Sequence, residues 1–197
     1  MISLLKAVEQ AFFMQDPTTD DVVRAHDLSF KRFIDPEAIA ERVREIGLEI
    51  ARRHPEEVPV FLTILNGAVF FAADLIRACP LQSELSFVRL SSYEGTSSSG
   101  SLTEVLGLKE DLRERLVIVL EDIIDTGNTM AGFLPQLEKE GPGHVEIATL
   151  LYKPGSYRQN FRIDYIGFEI PDRFVIGYGL DYNRLGRDLP GIYQLVD

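Results

Sequence analysis

Residues Val117–Thr129 read Val-Ile-Val-Leu-Glu-Asp-Ile-Ile-Asp-Thr-Gly-Asn-Thr, and the fold is decided here. Four consecutive aliphatics, mostly β-branched, have the pattern of a strand buried on both faces in the middle of a parallel sheet. The run stops at two carboxylates, Glu121 and Asp122, then enters the polar loop Asp125-Thr126-Gly127-Asn128-Thr129. Beyond it, Phe133, Leu134 and Leu137 recur at helical spacing within Met130–Glu140. A strand feeding a small-residue loop that opens a helix presents unpaired N–H groups at the positive end of the helix dipole, which makes an anion site. The adjoining acids repel a phosphate and suit ribose hydroxyls or Mg²⁺ instead. Together these features point to a phosphorylated ribose, although strand–acid–loop–helix units also occur in doubly wound proteins with other tasks.

The totals narrow the choice of partner. A chain of 197 residues is one domain of ordinary size, long enough to bury a core without disulfides. Its net charge of −11 argues against nucleic acid or an anionic membrane as partner. An anionic substrate must therefore be held by local amides, a few basic side chains and metal. Cys79 is the single cysteine, which excludes an intrachain disulfide and fits a reducing compartment. Met1–Phe13 carries Lys6 and Glu9 within its apolar stretch and does not read as a signal peptide. A cytoplasmic location is the expectation.

Outward from the organising stretch, Met1–Phe13 reads as a short amphipathic helix and Gln15–Asp21 as a polar linker. Asp35-Pro36-Glu37 starts a helix, with Ile39, Val43, Ile46 and Ile50 on one face and an end near His54-Pro55. His54 is expected in an exposed turn. Val58–Leu65 is a strand, followed by Asn66-Gly67-Ala68 and a helix over Val69–Ala78. That turn is either an ordinary β–α connection or a second anion cradle. Leu85–Leu90 is a strand ending at Ser91-Ser92-Tyr93, and the serine- and glycine-rich Glu94–Ser101 is a lid or a linker. Val145–Tyr152 is a buried strand leading into Lys153-Pro154-Gly155. Tyr165–Ile170 and Phe174–Tyr178 are short strands, and the chain closes in a loop containing Arg187. Alternating strands and helices specify an α/β parallel sheet with ligands at the carboxyl ends of its strands.

Five blocks carry a family resemblance: Leu65-Asn66-Gly67, Ser92-Tyr93, Glu121–Thr129, Leu150-Leu151-Tyr152-Lys153, and the run from Gly167 to Tyr182. In that order they resemble the hypoxanthine-guanine phosphoribosyltransferases from about Asp27 to the C-terminus. Glu121–Thr129 is similar to the signature for phosphoribosyl pyrophosphate (PRPP), shared by all type I phosphoribosyltransferases. The last block is similar to the enzymes acting on 6-oxopurines. The resemblance implies a type I phosphoribosyltransferase fold, with a central, mostly parallel sheet flanked by helices and a small hood. It divides the chain into an N-terminal extension, 1–26, and a phosphoribosyltransferase domain, 27–197.

The implied reaction moves the 5-phosphoribosyl group of PRPP to N9 of hypoxanthine or guanine, giving IMP or GMP and pyrophosphate. By resemblance, Asp125 is the general base near purine N7. Amides of Asp125–Thr129, including Gly127 and Asn128, and the hydroxyls of Thr126 and Thr129 hold the 5′-phosphate. Thr129 could alternatively serve only as a helix N-cap. Glu121 and Asp122 hold the ribose hydroxyls directly or through Mg²⁺, and Asp181, counted with the purine-binding residues, helps to coordinate Mg²⁺ on pyrophosphate. Asn66, Gly67 and Arg187 meet pyrophosphate, with a cis peptide expected at Leu65–Asn66. Lys153 reads the purine O6, since an ammonium donates hydrogen bonds and accepts none. Phe174 stacks on the purine and the Val175 backbone reads its edge. Ser92 and Tyr93 belong to a lid. Asn66 and Asn128 stand where many relatives have lysine, which increases the expected reliance on Mg²⁺. Relatives form dimers or tetramers, so a homodimer or homotetramer is expected, with no nucleic-acid or membrane partner. The alternatives are a phosphoribosyltransferase for another base such as xanthine, or a non-catalytic nucleotide-binding regulator of the same fold.

Overall fold

A computed structural model describes residues 22–92, 102–106 and 110–196. In chain order the elements are β1 (Val22–Ala25), β2 (Leu28–Ile34), α1 (Pro36–Arg53), β3 (Val60–Leu65), α2 (Val69–Ala78), β4 (Glu84–Ser92) and β5 (Leu102–Leu106). They continue with β6 (Leu116–Ile124), α3 (Asn128–Glu138), β7 (His144–Tyr152), β8 (Tyr165–Glu169), β9 (Val175–Ile176) and β10 (Ile192–Leu195).

β6 lies inside a six-stranded sheet of order β5-β4-β3-β6-β7-β8. Every neighbouring pair is parallel except β4 and β5. The aliphatic run divides between the two faces as its period of two requires. Ile118 and Leu120 join Ile39, Val43, Ile46 and Ile50 of α1 and Phe71 and Leu75 of α2 in one core. Val117 and Val119 join Met130, Phe133 and Leu137 of α3 in the other. The four apolar residues of α1 are at most 1 % exposed, and each such burial contributes about 1.5–3 kcal/mol relative to exposure. These two cores fix the strand ends from which the polar loops project.

A second, antiparallel sheet of order β1-β2-β10-β9 forms the hood, around Phe30, Ile176 and Tyr193. β9 has only two residues, yet it carries Val175 and places Phe174 beside the main sheet. The β1–β2 hairpin spans the boundary expected at 26/27. Two expectations are corrected, those for the C-terminal loop and for His54. The C-terminal loop contains a strand, β10, whose partners are distant in sequence. Leu102–Leu106 pairs antiparallel with β4. His54 is not an exposed turn residue: its side chain is 16 % exposed and its Nε2 lies 2.9 Å from Glu146 Oε2. The N-terminal helix and linker, Tyr93 and Glu94–Ser101 lie outside the described residues. No helix among the described residues is long and apolar enough to cross a membrane.

Candidate active site

The carboxyl ends of β3, β6 and β7 open into a cleft of about 370 Å³. Asn66 and Gly67 line it from the β3–α2 turn, Glu121 and Asp122 from the end of β6, and Asp125 and Thr129 from the loop and first turn of α3. Lys153 follows β7, Phe174 and Val175 come from the hood, and Asp181 and Arg187 from the segment before β10. Ile64, Leu65, Leu90, Ile123 and Leu180 complete the walls. Most of the residues selected from sequence therefore meet in one place. The Leu65–Asn66 peptide is cis, as expected.

α3 starts at Asn128, with Gly127 as N-cap at φ +81°, so Thr129 lies inside the first turn and is not the cap. This loop spends its carbonyls on the fold: Thr126 O accepts from Arg158 N–H and Gly127 O from Ala131 N–H. Among the described residues, Asn128 is the loop amide with an acceptor in reach, Thr126 Oγ1 at 3.4 Å. Thr126, Asn128 and Thr129 are exposed. Amides at a helix start that face water are available to an anion. Gly127 is instead buried under Tyr157 and Gln159, and Gln159 Nε2 donates to Asn128 Oδ1 at 2.8 Å. Sequence reading missed both covering residues, because nothing in the Tyr157–Phe161 segment marks it as packing on a loop thirty residues earlier.

Two cations form ion pairs in the cleft. Lys153, only 6 % exposed, places Nζ 2.9 Å from Asp125 Oδ2 and 3.8 Å from Asp172 Oδ1. Its backbone N–H donates to Ile124 O, which ties the end of β7 to the end of β6. Arg187 pairs with Asp181 Oδ1 at 2.5 Å and also donates to Gly179 O. Asp181 Oδ2 accepts from Arg184 N–H at 2.6 Å. Asp172 carried no sequence signal beyond its place in a turn.

The two acids near the end of β6 are electrostatically costly. Glu121 is 9 % exposed, and its Oε2 has no hydrogen-bond partner. Burial and the adjacent Asp122 push its carboxyl well above the usual range. Burial also raises Asp122, against its hydrogen bonds with the Glu121 side chain and Ile123 N–H and the charge of Arg187. Among the described residues no three His, Cys, Asp or Glu side chains form a metal cage. Asp181 stands apart from Glu121 and Asp122, paired with Arg187 and accepting from Arg184 N–H. Two hard oxygen donors with an unpartnered atom still fit Mg²⁺, which commonly takes one or two carboxylates and fills the rest of its shell with water and substrate phosphate.

The phosphoribosyl transferase domain family matches residues 31–183. The chain is 37 % identical over 179 residues to the hypoxanthine-guanine-xanthine phosphoribosyltransferase of Tritrichomonas foetus, covering 90 % of this chain and 94 % of that one. It is 36 % identical over 168 residues to the hypoxanthine-guanine phosphoribosyltransferase of Bacillus subtilis, covering 85 % and 93 %. The crystal structure of a hypoxanthine-guanine phosphoribosyltransferase from Bacillus anthracis superposes with a TM-score of 0.79 at 33 % identity, covering 85 % of this chain and 97 % of that one. With the signature loop on its predicted strand end, these similarities establish that the chain belongs to the phosphoribosyltransferase family, in its hypoxanthine-guanine branch.

Proposed function

We propose that this chain transfers the 5-phosphoribosyl group of PRPP to hypoxanthine or guanine, a purine-salvage step carried out in the cytoplasm. The observation that carries the reading is the 2.9 Å contact of Lys153 Nζ with Asp125 Oδ2 beside the phosphate loop. A cation suited to a 6-oxo group and a carboxylate suited to accept a proton stand together in one cleft. When the purine enters, the Lys153 ammonium donates to O6, where adenine would offer an amino group and leave the donor unpaired. Such a mismatch in a closed site discriminates by orders of magnitude. Asp125, released from Lys153, takes the proton that the base loses at N7. N9 bonds to C1′ as the C1′–O bond to pyrophosphate breaks, with the electron pair leaving on pyrophosphate.

The amides of the Asp125–Thr129 loop, whose Thr126, Asn128 and Thr129 are exposed, hold the 5′-phosphate and position C1′ for attack. Phe174 lies flat against the purine, and the Val175 backbone meets its edge. Glu121 and Asp122 hold the ribose hydroxyls, while Asn66, Gly67 and Arg187 receive the pyrophosphate. Glu121 and Asp122 would also hold Mg²⁺, which would supply positive charge to offset the negative charge growing on the leaving group. Val69 and Phe70, exposed apolar residues opening α2, support a homodimer or homotetramer, whose mass sedimentation would read.

The test is a PRPP-dependent assay over hypoxanthine, guanine, xanthine, adenine and uracil, with and without Mg²⁺. Turnover of 6-oxopurines alone, dependent on Mg²⁺, is expected. Turnover restricted to adenine or uracil would overturn the role of Lys153. Xanthine is included because the T. foetus relative is named for it.

A further inference from the structure

The pyrophosphate end of the cleft is assembled from two chain segments more than a hundred residues apart. One is the Asn66-Gly67 turn at the start of α2. The other is the tight segment Gly177–Arg187, which presents Asp181 and Arg187. They approach so closely that a Cβ on Gly179 would lie 1.9 Å from Gly67 O, while one on Gly67 would lie 1.5 Å from Asp122 Oδ2 of β6. No side chain fits in either gap. Contact of this kind fixes a shortest separation, but it does not prevent the two segments from drifting apart.

Tyr178 supplies the directional link. Its hydroxyl donates to Asp74 Oδ2 at 2.6 Å, with Phe70 O at 3.5 Å, and both acceptors belong to α2. Tyr178 adopts φ +46° between Gly177 at +105° and Gly179 at +106°. That left-handed conformation is disfavoured for a residue with a Cβ, yet an aromatic residue occupies it and points into α2. Backbone bonds carry the constraint to the functional side chains: Tyr178 N–H donates to Leu189 O, and Gly179 N–H to Arg187 O. Arg187 in turn donates to Gly179 O and pairs with Asp181. Asp74 Oδ1 also lies 3.7 Å from the exposed guanidinium of Arg77.

We infer that the Tyr178–Asp74 hydrogen bond is a positioning device for the pyrophosphate subsite, locking the Asn66-Gly67 turn to the segment carrying Arg187 and Asp181. Neither side chain touches substrate. The inference rests on the proposed PRPP chemistry and adds the pair that sets the spacing of its leaving-group site.

Tyr178→Phe and Asp74→Ala should each raise KM for PRPP and weaken product inhibition by pyrophosphate about five- to tenfold, the ratio matching one hydrogen bond of ordinary net strength. KM for the purine should change less than twofold, on the order of the scatter between similar variants. Asp74→Asn, which keeps an acceptor, should restore near-normal values. The double variant should be no worse than the poorer single one, because both remove the same bond. Equal changes in both KM values, or a lower melting temperature with unaltered PRPP and pyrophosphate constants, would reduce the bond to a structural one and sink the inference. Should Asp74→Ala fail to fold, Tyr178→Phe alone decides by the same constants. A wild-type enzyme that consumes PRPP normally while the variants match it overturns only this positioning role. A wild type that neither binds pyrophosphate nor consumes PRPP removes the functional reading as well.

Discussion

Glu121 and Glu146 are both buried glutamates on adjacent central strands, and their surroundings are opposites. Glu121 ends β6 at the cleft, 9 % exposed, with Oε2 unpartnered and a like charge next to it. Glu146 lies near the start of β7, at the far end of the sheet, 6 % exposed. It accepts from Tyr165 Oη at 2.6 Å and faces His54 Nε2 at 2.9 Å, with His144 Nε2 3.5 Å from its other oxygen. Arg53 sits 4.6 Å over the Tyr165 ring. Burial alone would raise the Glu146 carboxyl, but the hydrogen bonds of Tyr165 and His54 outweigh it and hold the group below the ordinary value. The pair separates two reasons for burying an acid. One site is satisfied and joins α1, β7 and β8. The other is left with an unpartnered oxygen at the cleft.

Substitutions at the two ends should therefore fail in different ways. The largest effect is expected at the cleft: Asp125→Asn should lower kcat about 10²–10⁴-fold, the usual contribution of a positioned acid or base. Its melting curve should stay close to wild type. A fully active variant in steady-state assays would remove Asp125 from the chemistry and weaken the contrast at its functional end.

Glu146→Ala comes next, with the loss in stability and not in rate. Leaving Tyr165 and His54 without their acceptor should cost about 3 kcal/mol, read as a shift in the urea midpoint. kcat of the folded fraction should be unchanged. A stable but inactive variant would mean that this end of the sheet reports to the active site after all.

Glu121→Gln should move stability the other way. The folded form binds the Glu121 proton more tightly than the unfolded chain does, so ionising this residue costs stability as pH rises above its ordinary 4.5. The neutral amide escapes that cost. Gln should therefore stabilise the free protein by roughly 1 kcal/mol at pH 8, an ordinary single-substitution scale, and the advantage should vanish below the unfolded value. Thermal melts from pH 4 to 8 read this directly, and a pH-independent difference would refute it. Glu146 has the reverse sign: its contribution is present above the unfolded value and lost as pH falls through the lowered folded one.

The smallest expected effect is that of Tyr165→Phe, about 1 kcal/mol for one hydrogen bond. Glu146 keeps His54 in that variant. Calorimetry should show a modest drop in melting temperature with unchanged kinetics. A loss as large as that of Glu146→Ala would mean that Tyr165 alone satisfies the buried acid.

The sequence by itself determined the elements whose signals are local. The β6 aliphatics, the helix of Ile39, Val43, Ile46 and Ile50, and the loop Asp125–Thr129 all announce themselves within a dozen residues, because strand and helix periodicities and helix-start chemistry are short-range. The cis Leu65–Asn66 bond and the convergence of Lys153, Phe174 and Arg187 came from the family resemblance and not from those periodicities. The tertiary structure alone decided the rest. β10 becomes a strand because β2 and β9 supply its hydrogen bonds. His54 is drawn inward because Glu146, 92 residues later, needs a partner. Asp181 meets Arg187 because the segment before β10 folds back upon itself. Such assignments depend on which groups meet across the fold, and a buried polar group takes whatever partner the packing brings within hydrogen-bonding distance.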